Sequence, residues 1–449
     1  MKKFSFFLTI IVHSLTMQAQ VLINRDAEIT KMVSEISADS LKSYIIQMVN
    51  FGTRHTLSST TDKKTGIGAA RQWVVEKFKS FAINSNGRMT AFVDTTTLQP
   101  DGRRVNVAVN LGNAMAVLKG TDPNDDRIYI ISGHLDSRVS DVMNASSKAP
   151  GANDDGSGVA AVIECARIMS SHSFPSTIIF VAVSGEEQGL LGSGYLAAKA
   201  KKEGWNIDAM LNNDIIGSNN SNETNIIDNT RLRVFSEAFS VTDTGRIAQN
   251  IRSQGLENDS RSRQLARYVK EIGERYVDNM EVVMIYRPDR FLRGGDHTPF
   301  LQRNFAAIRF TEMNENYNHQ HQDLRTEKGI EYGDLAVFMD FEYLRKNTAV
   351  NLSSLANLAK APSVPVDVRI ETRNLTNSST LNWKAPMHGK TKGYYLLIRE
   401  TTSATWQKKI FTTETTITVP YSKDNYFFAV QSVNDSGNES LAIVPGIAR

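Results

Sequence analysis

The chain predicts an α/β architecture, a mixed and largely parallel sheet with helices on both faces, followed by a small all-β sandwich. Three observations predict it. Helical patterns dominate from about Asp26 to Phe81. Short β-branched runs then alternate with helical segments through Glu312. After about Pro362 the helical period disappears and short alternating strands take over.

Taken in order, the first segment is set apart by composition. Residues 1–20, "MKKFSFFLTIIVHSLTMQAQ", carry Lys2 and Lys3, an apolar stretch to about Thr16, then small and polar residues. This three-part form predicts a secretory signal peptide whose apolar part is too short to span a bilayer. The mature protein is therefore expected to be exported, periplasmic or extracellular, without an integral membrane segment. The helical run that follows includes "AARQWVVEKFKSF".

The strand candidates come next. "RIYIISGH" ends at His134, "TIIFVAVSGEE" at Glu186 and Glu187, "MLNNDIIG" carries Asp214, and "FAAIRFTE" ends at Glu312. Apolar runs alternating with helices indicate a sheet buried on both faces, and such sheets bind ligands at the carboxyl ends of their strands. The polar residues just named fall there. From residue 365 to 449, "GYYLLIRE", "TTITVP" and "NYFFAVQSVNDSG" read as strands of a β-sandwich. The expected division is a signal peptide over 1–20, a main domain over 21–350, a linker over 351–364 and the sandwich over 365–449.

Composition excludes several classes. With 449 residues, 41% hydrophobic and 22% charged, the chain has the make-up of an ordinary globular protein. A net charge of +3, with Lys and Arg scattered, gives no footprint for nucleic acid. The single cysteine, Cys165, excludes an intrachain disulfide and reads as a small buried hydrophobe.

Chemistry concentrates in the main domain. "APGANDDGSGVAAVIECARIM" places Asp154 beside Asp155 among glycines, just before a helical run. Two adjacent anions there are either a turn with a helix cap or the face of a doubly positive group. His134 and Asp136 form H-x-D at a strand end, where an aspartate can receive the second ring nitrogen of a metal-bound histidine; a structural histidine gives the same pattern. Glu186 and Glu187 point to opposite sides of a near-extended chain, which suits one ligand and one base, or a capping pair. Asp214 is an anion in an apolar strand and needs a counterion, a hydrogen-bond network or a metal. "NENYNHQHQDLRTEKG" offers His319 and His321 in a polar loop.

The order H-x-D, G-A-x-D-D, a strand ending in Glu-Glu, a strand aspartate, G-D-H, and H-x-x-x-D resembles the co-catalytic di-zinc aminopeptidases, the clan MH metallopeptidases of bacterial leucyl aminopeptidase type, from about Gly52 to Tyr343. The resemblance implies the zinc exopeptidase fold and a ligand set of His134, Asp154, Glu187, Asp214 and His319. In it Asp154 bridges two Zn2+, His134 and Asp214 complete one, and Glu187 and His319 the other. His319 is preferred to His321 because it stands four residues before Asp323. Asp136 supports His134, and a cis Asp154–Asp155 peptide is expected. Asp296 and His297 in "GGDHTPF" take a structural or site-lining role, with Gly295 where the family has serine.

By the same resemblance, Glu186 is the general base for a water held between the metals, and the reaction removes N-terminal residues from peptides with a free N-terminus. Nitrogen and oxygen donors without thiolate suit zinc, and cobalt or manganese also. Alternatives on the same fold are a carboxypeptidase or dipeptidase, for which Arg287, Arg290, Arg293 and Arg309 are candidates to hold a carboxylate, a glutaminyl cyclase, and a non-catalytic binding protein. The last eighty or so residues resemble a fibronectin type III module, which implies a spacer or a contact with a surface or substrate.

Overall fold

A computed structural model describes residues 25–373 and 375–448; the expected signal peptide lies outside them. In chain order the first elements are α1 (Ala27–Ser34), α2 (Ala38–Val49), α3 (Gly66–Ala82), β1 (Met89–Leu98), β2 (Val109–Leu118), β3 (Arg127–His134), α4 (Gly156–Met169), β4 (Thr177–Val183), α5 (Leu191–Glu203) and β5 (Asn206–Asn213). They are followed by β6 (Arg231–Phe235), α6 (Gly245–Gln254), α7 (Arg261–Tyr276), β7 (Glu281–Ile285), α8 (Thr298–Leu301), β8 (Ala307–Glu312), β9 (Arg325–Glu327), β10 (Ile330–Tyr332) and α9 (Phe341–Lys360). The remainder is all strand: β11 (Val366–Glu371), β12 (Ser379–Lys384), β13 (Gly393–Glu400), β14 (Lys408–Thr412), β15 (Thr416–Val419), β16 (Tyr426–Val433) and β17 (Gly446–Ala448).

Eight strands form one mixed sheet in the order β1-β2-β4-β3-β5-β8-β6-β7. Its centre, β4-β3-β5-β8, is parallel throughout, while β1, β2 and β6 meet the neighbours on their inner side antiparallel. The side chains of β4 show why it lies at the centre. Ile178, Phe180 and Ala182 enter one core with α4 and α9, and Ile179, Val181 and Val183 enter a second core with α5 and α8. The two-residue period of a strand thus supplies both faces at once.

The helices start where side chains satisfy their first N–H groups. Asp26, Ser37, Asp155, Ser260 and Asp340 cap α1, α2, α4, α7 and α9 in this way. The expected linker over 351–364 is corrected here. Through Lys360 it is the second half of α9, and nearly every residue of that half is buried. Its amides bond inward: Asn351 pairs with Asn213, and the Asn357 carbonyl oxygen accepts from Tyr268 Oη and from the Glu439 N–H.

After α9, a four-stranded sheet, β15-β12-β11-β17, and a three-stranded sheet, β14-β13-β16, enclose a core that includes Leu381, Trp383, Leu396 and Val430. This second layer pair docks on α7. Arg399 reaches Asp259 at 2.6 Å, and Glu439 receives Arg275 at 3.1 Å and Lys409 at 2.8 Å. No helix among the described residues is long and apolar enough to cross a membrane.

Candidate metal centre

Three loops leaving the carboxyl ends of the parallel strands converge on one point. His134 is the last residue of β3, Glu186 and Glu187 follow β4, and Asp214 is the first residue past β5. Asp154 arrives from the turn before α4, and its peptide bond to Asp155 is cis. The structure therefore brings His134, Asp154, Glu186, Glu187 and Asp214 together around a cavity of about 320 Å³.

The orientation of His134 is fixed from behind. Its Nδ1 lies 3.0 Å from the carbonyl oxygen of Asp136 and so carries the ring proton. Nε2 faces Asp154 Oδ1 at 3.0 Å and Asp214 Oδ1 at 3.9 Å. The expected support from Asp136 is thus given by its backbone; its carboxylate stays 3.8 Å from Nδ1. That carboxylate instead receives the N–H groups of Gly185, Glu186 and Glu187 and the hydroxyl of Thr56. Asp136 therefore shapes the turn that presents both glutamates.

Asp155 works in the same way one layer deeper. Its oxygens take N–H groups from His134, Gly158 and Ile215, tying the ends of β3 and β5 to the start of α4. A residue with no sequence signal completes the frame. Asp334 accepts the N–H of Asn153 at 2.8 Å and of Asp154 at 2.7 Å. Burial, together with the nearby Asp154 carboxylate, pushes Asp334 up to about 7 in spite of these donors.

The expectation for His319 is corrected. The histidine in the cluster is His321, whose Nε2 stands 2.8 Å from Asp154 Oδ2 and 2.8 Å from Glu187 Oε1. His319 lies flat on Phe338, with ring centroids 3.6 Å apart and planes 2° from parallel. The cause is the backbone: His321 has φ +54°, and this left-handed turn swings its ring into the site two residues after the expected position. Asp296 and His297 are buried but belong to none of the ligand groupings; His297 Nε2 bonds the carbonyl of Pro288 at 2.7 Å. Glu312 also stays outside, its carboxylate bonded to Asn153 Nδ2 and the Ser218 N–H.

The donors fall into three overlapping groups, one of them joining His134 with Glu186 and Glu187. His134, Asp154 and Asp214 can hold one ion, and Asp154, Glu187 and His321 a second. Asp154 serves both, one oxygen facing each histidine. Three buried carboxylates against two imidazoles demand positive charge. Burial alone would lower His134, yet Asp154, Asp155 and Glu186 outweigh it and hold the ring well above the usual histidine range. The carboxylates thus draw a positive charge to Nε2, where a divalent ion can take the place of the proton, so the donor set fits divalent ions, and without thiolate it fits zinc.

Three arginines border the set. Buried Arg309 holds Asp214 at 2.8 Å and Asp289 at 3.0 Å. Arg138 holds Glu187 at 3.0 Å, and Arg290 is bonded to Glu315 at 2.9 Å. Glu186 has burial and the charges of Glu187, Asp214 and Asp296 to raise it, and its carboxyl is held well above the ordinary range despite His134.

Comparison with known proteins agrees with this arrangement. The profile described as Peptidase family M28 matches residues 113–340. The chain is 44% identical over 421 residues, 94% of its length and 97% of the relative's, to a probable zinc metalloprotease of Leptosphaeria maculans. It is 42% identical over 425 residues, 94% of its length and 87% of the relative's, to one of Pyrenophora teres f. teres. Its fold is similar to that of the LapA aminopeptidase of Legionella pneumophila, with a TM-score of 0.53 at 19% identity over 77% of this chain and 78% of that one. The chain belongs to peptidase family M28.

Proposed function

We propose that the protein is a two-zinc aminopeptidase that removes single residues from the free N-terminus of peptides. The observation that carries this reading is the sharing of Asp154 by two donor sets, His134–Asp154–Asp214 and Asp154–Glu187–His321, with Glu186 close by and outside both. Zinc ions held by these sets would supply Lewis acidity toward the scissile carbonyl and ease ionisation of the attacking water.

The remaining work falls to the chain. Glu186 takes the proton of the attacking water and returns it to the departing amine. Its removal from solvent favours the proton-bearing form it must adopt between those steps. Asp136 keeps Glu186 and Glu187 on one rigid turn, so neither carboxylate has to be ordered during the reaction. Arg309 holds Asp214 in place, and the Asp136 carbonyl keeps His134 in the tautomer that offers Nε2.

Trimming at a chain end is supported by the cavity, whose volume of about 320 Å³ suits a small ligand rather than an extended chain. The choice of the amino end follows the motif order. Export follows from residues 1–20 and is tested by sequencing the N-terminus of the mature protein. Hydrolysis of leucyl-p-nitroanilide is compared with that of its N-acetyl form, before and after chelation and zinc return. Cleavage of the free amine alone, lost and regained with metal, is the expected result. Equal cleavage of both, or indifference to chelation, overturns the reading.

A further inference from the structure

The metal donors occupy the carboxyl ends of the parallel strands, and a separate cavity of about 260 Å³ opens at the other end of the sheet. Phe305 and Ala306, which lead into β8, form part of its wall. Since β8 runs parallel to β5, this is the end away from Asp214. The opposing walls carry Glu237 from the turn after β6, Ile251 of α6, Leu256 just past that helix, and Val444 from between β16 and β17.

The helix α6 buries none of its ten residues. A surface helix normally presses an apolar stripe onto the body beneath it. In α6 that stripe is Ile247 and Ile251, four residues apart, yet Ile247 is exposed and Ile251 meets the cavity. The helix roofs a space and not a core.

The charges around this space are matched except at one residue. Asp259 is paired with Arg267 and Arg399, and Arg261 with Asp208. Asp243 accepts the Ser240 N–H. Arg263, the cation whose charge reaches Glu237, spends Nη1 on Ser236 Oγ and the Ile285 carbonyl and lies over the Tyr286 ring at 3.9 Å. The Glu237 carboxylate has no hydrogen bond or ion pair with any described residue. Burial, helped by Asp243, pushes it up to about 7. An acid that loses water and gains no donor is stabilised by a cation brought to it, and among apolar walls that attraction is stronger than on a surface.

We propose that this cavity binds a small organic cation, an ammonium group carried on an apolar body. The ammonium sits on Glu237 and the body lies against Ile251, Leu256, Phe305 and Val444. Through Val444 the strand region takes a share in the binding. The site is separate from the metal centre and does not depend on how that centre is read.

The test uses two probes of one shape, phenethylamine and 2-phenylethanol, of which only the first is charged. Each is titrated calorimetrically into the full-length, zinc-loaded protein at pH 8. The amine should bind about tenfold or more tightly than the alcohol, as one charged hydrogen bond predicts. Glu237→Gln keeps the shape of the site and removes its charge, so amine affinity should fall to that of the alcohol. Ala238→Phe fills the space from its wall and leaves the carboxylate in place, and should also abolish amine binding. A cooperative melting transition shows that each variant is folded.

Amine binding that a folded E237Q or a folded A238F retains in full belongs elsewhere, the metal centre included, and overturns the proposal. Equal affinity for amine and alcohol overturns it as well, and so does the absence of amine binding to the wild type.

Discussion

Arg138 donates through Nη2 to Nδ1 of His321 at 2.7 Å, while its Nε lies 3.0 Å from Glu187 Oε2. A ring nitrogen that accepts from arginine leaves the proton on the other one, so His321 Nε2–H faces Asp154 and Glu187. Binding a cation through Nε2 requires the opposite tautomer, which cannot accept from Arg138. Arg138 therefore competes with the second ion for two of its ligands. Arg138→Met should hold that ion about tenfold more tightly. The check is metal content during timed dialysis against a chelator, in which the variant keeps its second zinc longer than the wild type.

The two histidines of the polar loop separate cleanly. His321→Ala should lose one of two bound ions and nearly all activity, whereas His319→Ala should retain both ions and lose only its stacking on Phe338. Elemental analysis of purified variants counts the metal directly.

Glu186→Gln leaves both donor sets complete and removes the proton acceptor. Metal content should match the wild type while kcat falls by about 10²–10⁴-fold. A variant that also loses metal would place Glu186 among the ligands.

Glu237 reports on pH away from the site. Burial, with some help from Asp243 and against Arg263, pushes its carboxyl up to about 7. An acid whose folded pKa exceeds its unfolded one stabilises the fold below about 4.5 and loses that contribution as pH rises through 7. Its hydrogen bonds to Ser260 and Ser262 run through the backbone, so Glu237→Gln keeps them. The melting temperature of the variant should gain on the wild type as pH rises from 5 to 8.

The strand ends were readable because parallel strands buried on both faces are long apolar words, and a polar residue at the end of one stands out. His134, Glu186, Glu187 and Asp214 are of that kind. His321 was not readable, since spacing does not show that a single residue turns left-handed. Asp334 was not readable either, because it bonds backbone 180 residues away through groups every residue has. The second half of α9, expected as part of a linker, departs from its sequence for a third reason. "NLSSLANLAK" has the composition of a surface segment, yet Asn347, Asn351 and Asn357 spend their amides on Ile216, Asn213, Tyr268 and Glu439 inside the protein. Sequence shows a polar residue but not its partner.

The seam between α7 and the strands that follow α9 bears on how such a chain can be cut or recombined. Asp259, just before α7, divides its oxygens between Arg267, from that helix, and Arg399, from β13, and all three side chains are almost wholly shielded from water. Glu439, just past β16, does the same for Arg275 and Lys409. Trimming the chain after α9 strips a partner from each of these buried ions, and leaving a desolvated charge without its counterpart is among the more damaging changes a protein can suffer. The strand region is thus no detachable cassette. Grafting it onto another enzyme, or exchanging it for a different module, would require the surface of α7 to travel with it.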